Sequence, residues 1–135
     1  MEHSIQYLRN LADQLEKWHD QIVDAMTYAE GTHTFDDIAT MILQGQLVFI
    51  TMDEGFYIVE VIQYPRKKVL NIFLAGGDLS VLLNKRHDLE TVARNAGCSA
   101  ITLSGRRGWE KYAKECGWRY SHTTLACDVK EQPDG

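Results

Sequence analysis

The sequence predicts a mixed α+β domain, and three observations carry that prediction. The first third repeats apolar residues at helical spacing. Three strand-like apolar runs then follow one another across short turns. The last third alternates helix, strand, helix and strand.

Residues 4–30 predict one long helix. Leu8, Leu11, Leu15, Trp18, Ile22, Ala25 and Ala29 recur at alternating spacings of three and four, a narrow stripe of period 3.5 like a coiled-coil seam. Gly31 is placed to end the helix in the left-handed conformation. At 1.5 Å per residue such a helix is ~40 Å long, longer than a small domain is wide. A stripe that overhangs its own domain needs cover from a partner, so Leu8, Leu11, Leu15, Trp18 and Ile22 are the candidate interface residues.

Next comes THTFDDIATMILQG. Thr34 with Asp37 three residues on reads as a capping box, and Gly45 as the stop. Gln46–Met52, Phe56–Tyr64 and Val69–Leu74 read as three strands. The turns Asp53-Glu54-Gly55 and Pro65-Arg66-Lys67-Lys68 join them into an antiparallel meander. Asp78 is a suitable N-cap for a helix carrying Leu79, Leu82, Leu83, Leu89, Val92, Ala93 and Ala96, with Gly97 ending it. Ser99–Ser104 reads as a strand and Gly108–Cys116 as a short helix stopped by Gly117. Trp118–Val129 reads as a last strand, or two broken by a bend. The expected organisation is an N-terminal helix over 1–31, a domain over 32–130 and a loose tail over 131–135.

The 135 residues suit one domain, and 44% hydrophobic with 24% charged residues is ordinary for a globular chain with a real core. A net charge of −5 argues against general nucleic-acid binding, which needs a basic face. No apolar run is long enough to span a bilayer, so membrane insertion is not expected. Cys98, Cys116 and Cys127 are odd in number and contain no CxxC pair, as expected of reduced thiols inside a cell. His33 lies near Asp36 and Asp37, but a helix-entry turn accounts for these residues better than a metal does, and no metal is expected.

The element order, and the segment GCSAITLSGRRGWEKYAKECGW above all, resembles the acyl-CoA N-acyltransferase (GNAT) family. The likeness spans residues 34–129, with Gly117-Trp118 in the position of that family's "GF" turn and the usual first strand missing. It implies a mostly antiparallel central sheet flanked by helices. More narrowly, THTFDDI, YPRKKVLNIFLAGGDL and GRRGWEK resemble small GNAT-like tailed-phage proteins encoded near virion and packaging genes. That second likeness implies a host-cytoplasmic or virion setting more than an activity.

The same resemblance implies where acetyl-CoA would bind. In active members a glycine-rich loop after the fourth strand cradles the pyrophosphate at a helix N-terminus. The matching stretch is LAGGDLSVLLN. Gly76 and Gly77 supply candidate backbone donors, and Arg106 and Arg107 form a basic rim nearby. Yet Asp78 puts a carboxylate where phosphates would sit, and an N-capping Asp consumes the donors an anion needs. The family's proton-donating tyrosine maps onto Ala113, with Tyr112 one residue and ~100° away on the helix. Glu60, on a strand face with Phe56, Ile58, Ile62 and Tyr64, is the candidate general base; the alternatives are a solvent-facing carboxylate at a sheet edge or one paired with a lysine on a neighbouring strand. The expected function is therefore that of a non-catalytic GNAT-fold interaction or assembly component without cofactor. It would act through a protein partner or as a homo-oligomer held by the N-terminal helix. An acetyl-CoA-dependent N-acyltransferase with a divergent loop is the alternative, and an inhibitor or adaptor of a host protein the third.

Overall fold

The computed structural model describes residues 2–27, 31–78, 86–104, 109–121 and 124–129; at 2–8, 86, 109, 110 and 112 it describes the backbone alone. The described elements are α1 (Glu2–Lys17), α2 (His19–Met26), α3 (Phe35–Leu43), β1 (Val48–Met52), β2 (Gly55–Gln63), β3 (Lys68–Gly77), α4 (Arg86–Asn95), β4 (Ala100–Leu103) and α5 (Trp109–Glu115). The strands form one sheet in the order β1-β2-β3-β4. β1, β2 and β3 are the antiparallel meander, while β4 joins β3 in parallel, so the sheet is mixed. A parallel neighbour requires a crossover, and the chain between Gly77 and Ala100, including α4, provides it.

The single long N-terminal helix is not formed. Helix α1 ends at Lys17 and α2 begins at His19, with Trp18 between them at φ −99°, ψ 8°. Hydrogen bonding nevertheless runs through the joint: the Trp18 N–H donates to the Gln14 carbonyl at 3.0 Å, and the Ile22 N–H to the Trp18 carbonyl at 2.9 Å. The bend sits at the middle of the apolar stripe. There the Trp18 ring tilts against Phe56, with centroids 5.8 Å apart, and Lys17 Nζ lies 5.3 Å from the ring centroid, within cation–π range.

The bend also decides what covers the seam. Leu11, Leu15, Trp18 and Ile22 are buried in one cluster with Ile38 and Ile42 of α3, Leu47, Phe56 and Ile58 of β2, and Leu74 of β3. The stripe expected to face a partner is covered by the chain's own sheet. Leu11, Leu15, Trp18 and Ile22 are at most 8% exposed, and the side chain of Leu8 lies outside the described residues. On the other face of the sheet, Tyr57, Val59, Leu70 and Ile72 pack with Leu89 and Ala93 of α4. Ile101, Leu103 and Trp118 lean on that cluster. The side chain of Trp109 lies outside the described residues.

Helix ends follow local rules. Thr34 and Asp37 form the expected capping box: the Asp37 N–H donates to Thr34 Oγ1 at 3.1 Å and the Thr34 N–H to Asp37 Oδ2 at 2.8 Å. Those bonds hold the Asp37 carboxyl below its ordinary range. Three helices stop in the same way. After α3, α4 and α5, a glycine with positive φ (Gly45, Gly97, Gly117) donates to the carbonyl three residues back. The next residue donates five residues back, as in Trp118 N–H to Ala113 O at 2.9 Å.

The expected closing strand is absent among the described residues. Positions 118–121 and 124–129 carry no strand, and Leu125 and Val129 are 89% and 98% exposed. Alternating apolar residues supply only a strand's pattern; the strand itself needs an edge to pair with.

Two measurements test this architecture. Trp18→Ala should lower stability by about 3–5 kcal/mol, the usual effect of truncating a buried tryptophan; an unchanged denaturant midpoint would contradict the packing. Burial, and secondarily the Asp88 carboxylate, pushes the Tyr57 phenol up to about 12. Tyr57 is then neutral in both folded and unfolded chains below about pH 10, so its contribution is fully present there. Between about 10 and about 12 only the unfolded chain ionises, and stability falls. Tyr57→Phe should flatten that alkaline decline in a pH series of thermal melts.

Candidate functional site

The sheet is irregular just beyond the point where the pairing of β3 and β4 ends. Their pairing runs from Val69↔Ala100 to Ile72↔Leu103 and stops, while β3 continues to Gly77 beside β2. At the next residue β3 carries a bulge. Ile58 pairs with Leu74 and Val59 with Ile72, so Phe73 is the extra residue. A bulge bends its strand, increases the local twist and leaves a residue out of the ladder. It also changes which face each side chain takes. Before the bulge, Leu70 and Ile72 belong to the α4 side; after it, Leu74 belongs to the α1–α3 side. The end of the β3–β4 pairing at Ile72 and the re-aiming of β3 at Phe73 thus fall at neighbouring residues, and the ring of His33 lies edge-on to Phe73 at 4.8 Å.

One pair before the end of the β3–β4 pairing, three polar side chains line up across three strands. Asn71 of β3 donates through Nδ2 to Glu60 Oε1 of β2 at 3.0 Å. Thr102 of β4 donates through Oγ1 to Asn71 Oδ1 at 2.9 Å. The register places Glu60 opposite Asn71 and Asn71 opposite Thr102, so the row follows from strand pairing. Glu60, the expected base, is therefore neither isolated on an apolar face nor simply turned to solvent. It is half-buried and held by an amide. Asn71 and Thr102 were not singled out by the sequence reading. The available signal was a lone amide inside the apolar run VLNIFL, but its partners are set by register, which is not local.

Gly76 and Gly77 are strand residues, paired with Phe56 and Gly55. Their lack of a side chain has a packing cause. A Cβ on Gly76 would lie 2.5 Å from the Phe56 ring, one on Gly77 2.2 Å from the Glu54 carbonyl oxygen, and Gly77 has φ +114°. The following N–H, of Asp78, donates to that same Glu54 oxygen at 3.1 Å. The loop beyond Asp78, together with Arg106 and Arg107, lies outside the described residues. Ala113 is on α5 as expected, and the Tyr112 side chain is not described. Among the described residues no group of three or more His, Cys, Asp or Glu is placed to hold a metal, and no helix is long and apolar enough to cross a membrane.

With this geometry, solved structures match the chain over most of its length. A probable acetyltransferase superposes with a TM-score of 0.63 at 10% identity, covering 89% of this chain and 95% of that one. A Bacillus halodurans protein gives 0.58 at 11% identity, covering 84% and 95%. A Trypanosoma brucei acetyltransferase gives 0.51 at 12%, covering 82% and 94%. At such identities the likeness is one of fold: a mixed α/β, GNAT-type acetyltransferase-like fold. No protein-family model matches the chain, and no curated protein matches it.

The polar row makes a measurable prediction. Asn71→Ala deprives Glu60 and Thr102 of their shared partner in a half-buried setting and should cost about 1 kcal/mol in a denaturant titration. Thr102→Val in the Asn71→Ala background should then cost much less than in the wild type, because the bond it removes is already gone.

Proposed function

We propose that this GNAT-fold chain works by binding a partner and not by transferring an acetyl group. The observation that carries the reading is the fate of the two glycines. Gly76 and Gly77 are engaged in the β2–β3 ladder, closed down on Phe56 and Glu54, and the next amide, that of Asp78, is already donated to Glu54. Backbone N–H groups cradle phosphates only when they are free to converge on them. The Asp78 carboxylate at the same point opposes a pyrophosphate electrostatically. Ala113 in place of the family's tyrosine removes the matching proton donor for a departing thiolate.

The setting we propose is a tailed phage, with the protein serving assembly or the virion, or acting on a host protein. Its support is the resemblance of THTFDDI, YPRKKVLNIFLAGGDL and GRRGWEK to small phage proteins.

A second reading, acetyl-CoA-dependent acyl transfer, is favoured by one specific feature. The end of the β3–β4 pairing, the Phe73 bulge and the Glu60–Asn71–Thr102 row are all within a residue or two of one another along β3. A bulged strand offers backbone groups outside the ladder that can polarise a carbonyl, and a positioned carboxylate can take a proton from an amine.

Calorimetric titration with acetyl-CoA separates the two. The binding reading expects no saturable heat at micromolar to high-micromolar ligand. Micromolar affinity, strengthened by Asp78→Gly through removal of the opposing carboxylate, would overturn it in favour of the second reading.

A further inference from the structure

We propose that this chain self-associates through two faces of opposite charge: the exposed side of α2 in one copy, around Asp20, Val23 and Asp24, receives the tip of the β2–β3 turn of another, around Tyr64, Arg66 and Lys67. The net charge of −5 conceals a segregation. Of the 19 acidic residues, 11 lie within the first 60 positions, where Arg9 and Lys17 are the only basic ones; the other 12 of the 14 basic residues follow. Two particular faces therefore meet a local field quite unlike the average one.

The acidic face is one side of a helix. In α2, Ile22 is buried in the cluster beneath it, while Asp20, Val23 and Asp24, at spacings of three and four, are exposed together. Val23 is 40% exposed beside the two carboxylates. The ring nitrogen Nδ1 of His19 lies 3.0 Å from Asp20 Oδ1, at the edge of this face.

The basic face is a hairpin tip held in one shape. The Tyr64 N–H donates to the Lys67 carbonyl at 2.8 Å, and Gln63 Nε2 to the Tyr64 carbonyl at 2.6 Å. Arg66 and Lys67 are exposed, and among the described residues neither is ion-paired. Lys68 Nζ donates to the Ala96 carbonyl at 3.4 Å, which brings the last turn of α4 and its exposed Arg94 to the same end of the sheet. No acidic residue occurs in 61–77 or 91–104 to neutralise these charges from within. Tyr64 is 47% exposed among them.

The occupant of each face is a second copy because the two match in kind as well as in sign. Each presents one large apolar side chain, Val23 or Tyr64, accompanied by two like charges. Brought together they make an apolar centre within a charged rim, and tyrosine and arginine are enriched at such centres. Exposed ion pairs contribute little singly and are screened by salt, so the contact is weak and salt-sensitive. The inference stands whether or not acetyl-CoA binds.

The test is sedimentation velocity on the full chain at high micromolar concentration, in low and in physiological salt. The wild type should associate in low salt, with an association constant that falls roughly tenfold or more in physiological salt. Arg66→Glu with Lys67→Glu, and separately Asp20→Lys with Asp24→Lys, should each give a monomer of unchanged far-UV circular dichroism. An equimolar mixture of these two variants should associate again, because the first keeps the native α2 face and the second the native turn. Both variants remain net negative, so attraction between net charges cannot produce that result. Tyr64→Ser, which alters no charge, should weaken association at least tenfold and serves if a charge reversal misfolds. A wild-type monomer in low salt overturns the proposal. So does an association that salt, either charge reversal or Tyr64→Ser leaves unchanged, and so does a mixture that stays monomeric.

Discussion

The ring of Phe56 is the contact on which the rest of the molecule depends. It is fully buried and has three neighbours from three parts of the chain: Trp18 at the bend between α1 and α2, Phe49 of β1 at 5.8 Å, and the backbone of Gly76 in β3. The ring lies so close to Gly76 that no other residue fits there unless something moves. Aromatic rings at these separations gain from edge-to-face contact beyond the area they bury. Through that one side chain, the bend of the N-terminal helices, the meander and the glycine pair at the end of β3 become a single constraint. A glycine that reads as a ligand cradle in the sequence is required, in the fold, by a phenylalanine twenty residues earlier.

What was legible in the sequence was local. Thr34 and Asp37 announce a capping box, and Gly45, Gly97 and Gly117 announce helix stops, because each involves residues within one turn of chain. The meander was legible from its turns, and the stripe from Leu11 to Ile22 from its spacing. What covers that stripe was not legible, since a seam facing a partner and a seam facing its own sheet have the same period. Nor was the break at Trp18, which has neither proline nor glycine to mark it. The bulge at Phe73 and the row Glu60–Asn71–Thr102 depend on strand register, a property of pairs of segments. The closing strand expected over 118–129 is not formed among the described residues: 124–129 have the alternating pattern, but whether a pattern finds an edge is not a local property of the segment.

The candidate site brings two features together on β3. A bulge at Phe73 lies beside a carboxylate held by Asn71. A few residues on, the glycines Gly76 and Gly77 and the Asp78 amide are engaged in holding β3 to β2 and the Glu54 turn. A donor already bonded to a carbonyl offers little to an anion.

The parallel placement of β4 also bears on the order in which the molecule assembles. The Glu60–Asn71 bond joins residues 11 apart in a hairpin, whereas the Asn71–Thr102 bond joins residues 31 apart across the crossover. By loop-closure entropy the longer contact starts roughly 0.9 kcal/mol behind the shorter one, and it has to wait for α4 to find the sheet. The meander is therefore the natural early structure, with β4 and whatever pairs with it arriving late. Mutations in the β2–β3 hairpin should slow folding, and those in β4 should chiefly speed unfolding, a division that chevron kinetics would reveal. A protein built in that order keeps its meander longest and loosens first at α4 and β4, the parts held only across the crossover.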